Sequence, residues 1–179
     1  PPSHLNEEAD PEPSRSHGTF LDEKSSVSLL SQILKTYSPR ASEVDLRDDC
    51  AFVPHSNTID SNLTLVTTDA LCEGVHFDLH LDQLKEVGRQ AVIANVSDLA
   101  SSGAKPSALL WSLSVPHGFT KQNLKELATG FAMTAAHYDC SVIGGNLCVR
   151  EGPLELHGTA MGIPWGKPML RNGAQAGDS

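Results

Sequence analysis

The sequence lacks any cluster of lysine and arginine, and such clusters are what a surface that binds nucleic acid needs. Lys and Arg number 13 against 22 Asp and Glu, which gives a formal net charge of -9. No apolar run reaches the roughly 18 residues that a membrane-spanning helix requires. The first residues, PPSHLNEEAD, have neither the basic end nor the apolar stretch of a signal peptide. These absences argue against a nucleic-acid or membrane partner and predict a cytoplasmic protein.

Paired cysteine motifs are also missing. The four cysteines, Cys50, Cys72, Cys140 and Cys148, show no CxxC spacing, so neither a zinc knuckle nor a thioredoxin-type redox pair is supported. Each cysteine has apolar neighbours in or beside a predicted strand. We therefore expect small buried side chains in a reducing compartment.

Four common catalytic or nucleotide-binding motifs are absent. The chain contains no GxxxxGK[ST], GxGxxG, HExxH or GxSxG sequence. A P-loop, a dinucleotide-binding Rossmann fingerprint, a zinc-protease helix and a hydrolase nucleophile elbow are therefore not indicated.

The pattern along the chain predicts one domain behind a tail. Residues 1–25 contain four prolines, six acids and two bases with almost no apolar periodicity, so we expect disorder there and a folded domain over 26–179. The predicted elements are a helix from Ser25 or Ser26 to just before Pro39, strands at DDCAFVP and NLTLVTTDAL, a helix over LDQLKEVGRQAVIANVSDLASSG, a strand at SALLWSLSVP, a helix from Thr120 to about Tyr138, and strands at CSVIGG and LELHGTAMGIP. This order, α-β-β-α-β-α-β-β, predicts an α+β fold with helices on one face of a mixed sheet.

Aspartates at strand ends and turns are the main candidates for a site. Asp48 and Asp49 precede one predicted strand, Asp69 lies late in the next, and Asp98 stands among small and apolar residues late in a helix. An unpaired carboxylate in such surroundings is unfavourable unless a cation or a donor meets it. Four acids around one cleft would suit Mg²⁺. The alternative is that Asp98 only hydrogen-bonds a neighbouring turn.

Two further segments point to a ligand. In VIGGN, Gly144 and Gly145 follow a predicted buried strand, where paired glycines often let backbone amides approach a phosphate, and Asn146 comes next. Asn146 could instead cap the turn with its side chain. In EGVHF, His76 follows Glu73 in the loop after Asp69, so it could reach a ligand, or it could simply bond to the backbone.

Together these segments resemble a known family. The blocks DDCAFV, TTDALCEGVHF, GRQAVIANVSDLASSGAKPSALL, VIGGN and LRNGAQAGD resemble, in order and spacing, the N-terminal half of thiamine-monophosphate kinases. These enzymes belong to the superfamily of aminoimidazole ribonucleotide synthetase (PurM-like), with HypE and selenophosphate synthetase. The resemblance runs from about Val27 to Asp178. The reactive Cys or Sec loop of selenophosphate synthetase has no counterpart, and EGVHF favours the thiamine enzyme.

The resemblance implies ATP-dependent phosphorylation of thiamine monophosphate to thiamine diphosphate by Mg²⁺-assisted in-line transfer. It also implies a homodimer that joins two sheets; we expect Leu63, Leu65, Trp111, Leu113, Leu154 and Leu156 at that interface. The residue roles that it implies are Mg²⁺ ligation by Asp49, Asp69 and Asp98, assisted by Thr67 and Thr68 and supported by Asp48; contact with the thiamine phosphate by His76; and nucleotide binding by Gly144, Gly145, Asn146 and Arg171.

Three departures from the family pattern separate two hypotheses. Arg47 stands where the family usually has Gly, and Asn146 where it has Asp, and the family's second domain would begin near the final GAQAGDS. If Asn146 shares a cleft with Asp69 and Asp98, the amide weakens a Mg²⁺ site. The first hypothesis is the N-terminal half of a thiamine-monophosphate kinase, inactive by itself. The alternatives are a non-catalytic binding or dimerisation module, or a HypE-like or aminoimidazole ribonucleotide synthetase-like enzyme.

Overall fold

A computed structural model describes residues 22–37, 48–54, 63–172 and 175–177. In chain order its elements are α1 (Glu23–Tyr37), β1 (Ala51–Pro54), β2 (Leu63–Cys72), α2 (Leu84–Ser101), β3 (Ala104–Pro116), α3 (Lys121–His137), β4 (Ser141–Arg150) and β5 (Glu155–Pro164). The predicted order of helices and strands is confirmed. Most of the predicted tail, and Arg47, lie outside the described residues, whereas residues 23–25 form the first turn of α1.

The five strands form one sheet in the order β1-β2-β5-β3-β4. β1 pairs with β2, and β5 pairs with both β2 and β3, all antiparallel, whereas β3 and β4 are parallel. The predicted α+β fold with a mixed sheet is therefore confirmed. The last strand in the chain occupies the centre of the sheet.

One face of the sheet is covered by α2 and α3. Along β2 and β5 alternate residues point to this face, because successive side chains of a strand lie on opposite sides. The largest fully buried side chains of the core are Phe131, Leu65, Leu99, Leu109, Leu127, Leu154, Leu156, Val87 and Val92. Residues of the other side, such as Thr68 and His157, are exposed, and we call that side the open face.

Glycines bring α2 and α3 into close contact. A Cβ added to Gly130 would overlap the carbonyl oxygen of Lys85, and one added to Gly88 would overlap that of Leu127. The backbones of the two helices therefore touch where the helices cross, with no side chain between them.

The ends of α2 and α3 follow the sequence signals, whereas α1 begins at Glu23, before the predicted cap at Ser25 or Ser26. Thr120 caps α3 as predicted: its Oγ1 accepts a hydrogen bond from the Asn123 amide at 3.1 Å, and Asn123 Oδ1 accepts one from the Thr120 amide at 2.9 Å. Gly103 follows α2 with φ +76°, the left-handed conformation that glycine adopts without strain. None of the helices in the described ranges combines the length and apolar character needed to cross a bilayer.

The expected dimer residues are wrong. Leu65, Leu113, Leu154 and Leu156 are at most 2% exposed and belong to the core, and Trp111 stacks on Phe131 of α3 with ring centroids 4.2 Å apart. Leu63 also packs against the core. The apolar side chains of these strands face the helices of the same chain, so this face of the sheet is already covered.

Candidate functional site

Four aspartates lie near the β1–β2 side of the sheet, and we call them the acidic edge: Asp48, Asp49, Asp69 and Asp98. Asp48 and Asp49 come directly before β1, whose first residue, Ala51, pairs with Val66 of β2. Asp69 lies on β2, on the face that α2 covers. Asp98 lies in the last turn of α2. The charges of Asp49 and Asp69 both act on the Asp98 carboxyl, whereas a shared metal site remains a prediction.

Asp98 is linked to β2 by a hydrogen bond. Thr67 Oγ1, in a side chain only 4% exposed, donates to Asp98 Oδ2 at 2.7 Å. Burial raises the pKa of the Asp98 carboxyl above its ordinary value, the Thr67 hydrogen bond lowers it, and the negative charges of Asp69 and Asp49 raise it further. Burial is the largest of these effects, so the net upward shift means that the Asp98 carboxyl is harder to ionise here than in water.

Arg171 is the counter-charge at the outer side of the acidic edge. Its backbone N–H donates to Asp48 Oδ1 at 3.0 Å, and its guanidinium forms an ion pair with Asp49 Oδ1. The hydrogen bond from Arg171 lowers the pKa of Asp49, against an opposing effect of partial burial. Arg171, predicted to face a nucleotide, thus holds two of the aspartates in this structure.

The fit to Mg²⁺ follows from the donor atoms. Carboxylate and hydroxyl oxygens are hard donors, which Mg²⁺ prefers together with water and substrate phosphates. Within the described part of the chain, no three His, Cys, Asp or Glu side chains are close enough to hold a metal ion together. The acidic edge therefore offers a few carboxylates on one side, and the rest of an octahedral shell would come from water and substrate.

Thr68 is not brought to the acidic edge. Its Oγ1 donates to the Gly158 carbonyl at 2.8 Å and lies 3.2 Å from Thr159 Oγ1 on the open face. The strand alternation separates it from Thr67, its neighbour, so the expectation that both threonines assist one metal is wrong within a single chain.

His76 is held by its own loop. Its Nδ1 accepts a hydrogen bond from the Cys72 amide at 3.0 Å, as the backbone-bonded alternative expects. This bond fixes Nδ1 as the unprotonated nitrogen and leaves Nε2 as the atom that would donate to a ligand. Contact with substrate remains a prediction for this residue.

Gly144, Gly145 and Asn146 lie in the middle of β4 and not in a turn, which corrects the sequence prediction. β4 is the edge strand opposite β1, and β5 and β3 separate it from β2. Gly145 pairs with Trp111, and a Cβ there would overlap the Trp111 carbonyl and lie 3.1 Å from Nε1 of its indole. Glycine is thus needed for close packing and not for a turn.

The position of Asn146 follows from the same register. It pairs with Ser112, so its side chain lies on the open face, opposite to the face of Trp111. The prediction that Asn146 shares one cleft with Asp69 and Asp98 is therefore wrong within one chain.

Sequence reasoning missed the contact that Cys50 makes with the acidic edge. Cys50 is buried, at 2% exposure, and its thiol is free, as predicted, whereas the same prediction is wrong for Cys148, which is exposed. Its Sγ donates to the Asp98 carbonyl at 3.4 Å, so the residue also anchors the end of α2. The only signal for this role was its place directly after Asp49.

Comparison with known proteins identifies the family. The model of the family described as AIR synthase related protein, N-terminal domain, matches residues 47–164, more than half of the chain. The chain belongs to this family. The resemblance that the sequence blocks indicated is thereby confirmed at the level of the superfamily.

Several family members of known function are similar in sequence. A thiamine-monophosphate kinase from Caulobacter vibrioides is 35% identical over 136 residues, which cover 75% of this chain and 38% of that protein. One from Methanocaldococcus jannaschii is 36% identical over 160 residues, covering 88% of this chain and 48% of that protein. The chain therefore spans less than half the length of these relatives.

Solved structures agree with the fold. AaThiL complexed with AMPPCP and TMP is 30% identical with a TM-score of 0.73, covering 89% of this chain and 48% of that chain. Thiamine monophosphate kinase from Aquifex aeolicus is 29% identical with a TM-score of 0.63, covering 79% and 44%. A HypE–HypF complex, at 21% identity and a TM-score of 0.55 over 75% of this chain and 43% of that one, shares the fold alone.

Proposed function

We propose that this chain is the ATP- and Mg²⁺-binding half of a thiamine-monophosphate kinase, which transfers the γ-phosphoryl group of ATP to thiamine monophosphate. The observation that carries the proposal is the acidic edge, where Asp98, bonded by Thr67 at 2.7 Å, lies within electrostatic reach of Asp49 and Asp69. The relatives named thiamine-monophosphate kinase and the similarity to AaThiL complexed with AMPPCP and TMP support the substrate class.

In this proposal the chain mainly positions groups and balances charge. Phosphoryl transfer needs little covalent chemistry from the protein, and most of the rate comes from alignment and electrostatic stabilisation. Bound Mg²⁺ would neutralise charge on the phosphates, and carboxylates among Asp49, Asp69 and Asp98 would hold it together with water and phosphate oxygens. Thr67 orients the Asp98 carboxylate through its hydrogen bond. Asp48 anchors the segment of Arg171 through the backbone.

We infer a cytoplasmic homodimer for the intact protein. All four cysteines are free thiols, two of them buried, which suits a reducing compartment. The open face carries partly buried apolar side chains, Val66, Leu110 and Met161 among them, and the edge strand β4 exposes Val142, Ile143, Leu147 and Val149. Apolar surface on this scale commonly marks an interface.

The test of the proposal is Mg²⁺-dependent binding of AMPPCP to the 179-residue chain, measured by calorimetry. We expect binding that requires Mg²⁺ and is lost in Asp69→Asn. Asp139→Asn is the matched control, because it makes the same change at an exposed residue, which forms an ion pair with Lys105 at 3.3 Å. If the wild type, Asp69→Asn and Asp139→Asn bind equally, the acidic edge is not the site.

A non-catalytic dimerisation module is the second candidate. The observation that favours it is that no three His, Cys, Asp or Glu side chains converge within the described ranges, together with Asn146 on the open face. A chain that dimerises but takes up neither Mg²⁺ nor AMPPCP would support this candidate. Thiamine diphosphate formed by the chain alone would contradict both candidates, since each expects the isolated chain to be inactive.

A further inference from the structure

Asn95 is a polar side chain buried completely between α2 and the sheet. Its Nδ2 donates to the Ala91 carbonyl, one turn earlier in α2, at 2.9 Å. Because a carbonyl oxygen can only accept, this bond fixes which end of the amide is the donor. Among the described residues Asn95 Oδ1 has no hydrogen-bond partner.

The amide of Asn95 rests directly on Gly158 of β5. A Cβ added to Gly158 would overlap Asn95 Nδ2 and lie 2.9 Å from its Cγ. One turn further along α2, a Cβ added to Gly162 would lie 3.0 Å from Leu99 Cδ2. Asn95 and Leu99, one turn apart on α2, therefore pack against two glycines of β5 that are also four residues apart. The amide fills the space that a side chain at position 158 would take.

This contact is next to the acidic edge both across the sheet, on β2, and along the helix, on α2. Gly158 pairs across the sheet with Asp69 of β2. Asp98 follows Asn95 by three residues, and side chains at that spacing are neighbours on a helix surface. An unpaired buried acceptor is unfavourable compared with an apolar side chain of similar shape, so packing alone does not explain an amide here.

We propose that Asn95 is a positioning residue for the acidic edge. Its amide packs against Gly158 and thereby sets the distance between α2 and β5. This distance places Asp98 next to Thr67 and Asp69. The free Oδ1 of Asn95 accepts a hydrogen bond from water that hydrates the bound cation. The role of Oδ1 rests on the proposed function, because it needs the bound Mg²⁺. The effect of Asn95 on the position of α2 does not depend on any metal.

The experiment separates the volume of the amide from its chemistry. Four variants of the 179-residue chain are compared with the wild type: Asn95→Ala, Gly158→Ala, the double variant N95A/G158A, and Val92→Ala as a control that removes buried volume from the same helix. In the double variant the new methyl at position 158 fills the space that the amide has left. Circular dichroism first establishes which variants are folded.

Two quantities are measured for each folded variant. The first is the Mg²⁺ affinity from calorimetry. The second, in the absence of metal, is the rate at which Cys50 is alkylated, followed by mass spectrometry of its peptide. Cys50 reports on the position of α2, because its thiol is buried against the Asp98 carbonyl at 3.4 Å.

We expect Gly158→Ala to speed alkylation of Cys50 by pushing α2 outward, and N95A/G158A to restore the slow rate. Both variants that lack the amide should lose Mg²⁺ affinity by about ten-fold or more, the usual effect of removing a group that supports metal ligands. Val92→Ala should leave the affinity unchanged. If Gly158→Ala does not fold, the double variant and Asn95→Ala still decide the outcome.

Two results would overturn the inference. Wild-type Mg²⁺ affinity in folded N95A/G158A would mean that the amide only fills space. An unchanged alkylation rate in folded Gly158→Ala would mean that this contact does not set the position of α2. If the wild type itself binds no Mg²⁺, the proposed metal site and the role of Oδ1 are both wrong. The alkylation rates still show whether the contact between Asn95 and Gly158 sets the position of α2.

Discussion

Thr67 Oγ1 donates a 2.7 Å hydrogen bond to Asp98 Oδ2 and so joins the middle of β2 to the last turn of α2. The two residues are 31 positions apart in the sequence. Their contact keeps a carboxylate partly out of water at the place where Asp49 and Asp69 add further negative charge. Burial and the neighbouring carboxylates therefore make ionisation of Asp98 unfavourable, an effect that a bound cation would offset.

Asp98→Asn should stabilise the metal-free protein at neutral pH. The pKa of Asp98 is raised above its ordinary 3.8 in the folded state, so the folded protein holds the proton more tightly than the unfolded chain. The free energy of unfolding of the wild type therefore falls as pH rises above about 3.8, while the amide is unaffected. Urea unfolding at about pH 3 and about pH 7 measures this difference. An advantage of Asn that is larger in acid would contradict it.

Arg171→Gln should tighten Mg²⁺ binding. The guanidinium neutralises Asp49, so a cation must compete with it. The lowered pKa of Asp49 gives the folded wild type a small stabilisation above about pH 3.8, which is lost as the pH falls further. The variant should lack this stabilisation. Calorimetry compares it with Arg150→Gln, which breaks the ion pair to Glu155 at 2.6 Å instead. Equal affinities in both variants would show that Arg171 does not compete.

Gly130→Ala should destabilise the fold by about 1–3 kcal/mol or more, the range found for overpacked cores. Its Cβ would overlap the Lys85 carbonyl oxygen and force α2 and α3 apart. Gly166→Ala is the control, since a Cβ there meets nothing within 4 Å and φ is not positive. Denaturant midpoints of the two variants and the wild type give the comparison, and a Gly130→Ala midpoint equal to the wild type would refute this packing.

Asn146→Asp should leave the Mg²⁺ affinity of the chain unchanged. The side chain lies beside Ser112 on the open face, with β5 and β3 between its strand and β2. Calorimetry compares the Mg²⁺ affinity of this variant with that of Asp69→Asn, which should bind Mg²⁺ more weakly than the wild type. Tighter binding by Asn146→Asp would mean that the residue reaches the metal after all.

Met161→Arg should prevent dimerisation. Met161 pairs with Val66 in the middle of the open face, where a buried charge without a partner would oppose contact between two sheets. Met133→Arg makes the same change on the surface of α3, where Met133 is 59% exposed. Light scattering should return a dimer for the wild type and Met133→Arg and a monomer for Met161→Arg. A monomeric wild type would contradict the expected homodimer.

The order of elements was predictable because its signals are local. The apolar spacing of α3, its cap at Thr120 and the glycine after α2 each depend on a few neighbouring residues. The side of the sheet that each apolar residue faces was not obtained. Leu65 and Leu113 were assigned to a partner subunit, but the helices of the same chain bury them.

The site was only partly predictable, because it depends on contacts between distant segments. The aspartates were found from their place at strand ends, yet the bond from Arg171 to Asp48 spans 123 positions and left no local signal. The glycines of β4 were interpreted as a turn that lets backbone amides approach a phosphate. The indole of Trp111, which needs the space beside Gly145, is 34 residues away in the sequence, too far for any local pattern to reveal it.

The central position of β5 also determines when the sheet can close during synthesis. β2 and β3 leave the ribosome first, but they pair only with β5, which comes last, along their facing edges. Until then both strands present unpaired backbone groups, a state that favours aggregation and attracts chaperones. Nascent chains arrested before residue 155 should thus remain sensitive to protease, and those that have released residue 164 should become resistant.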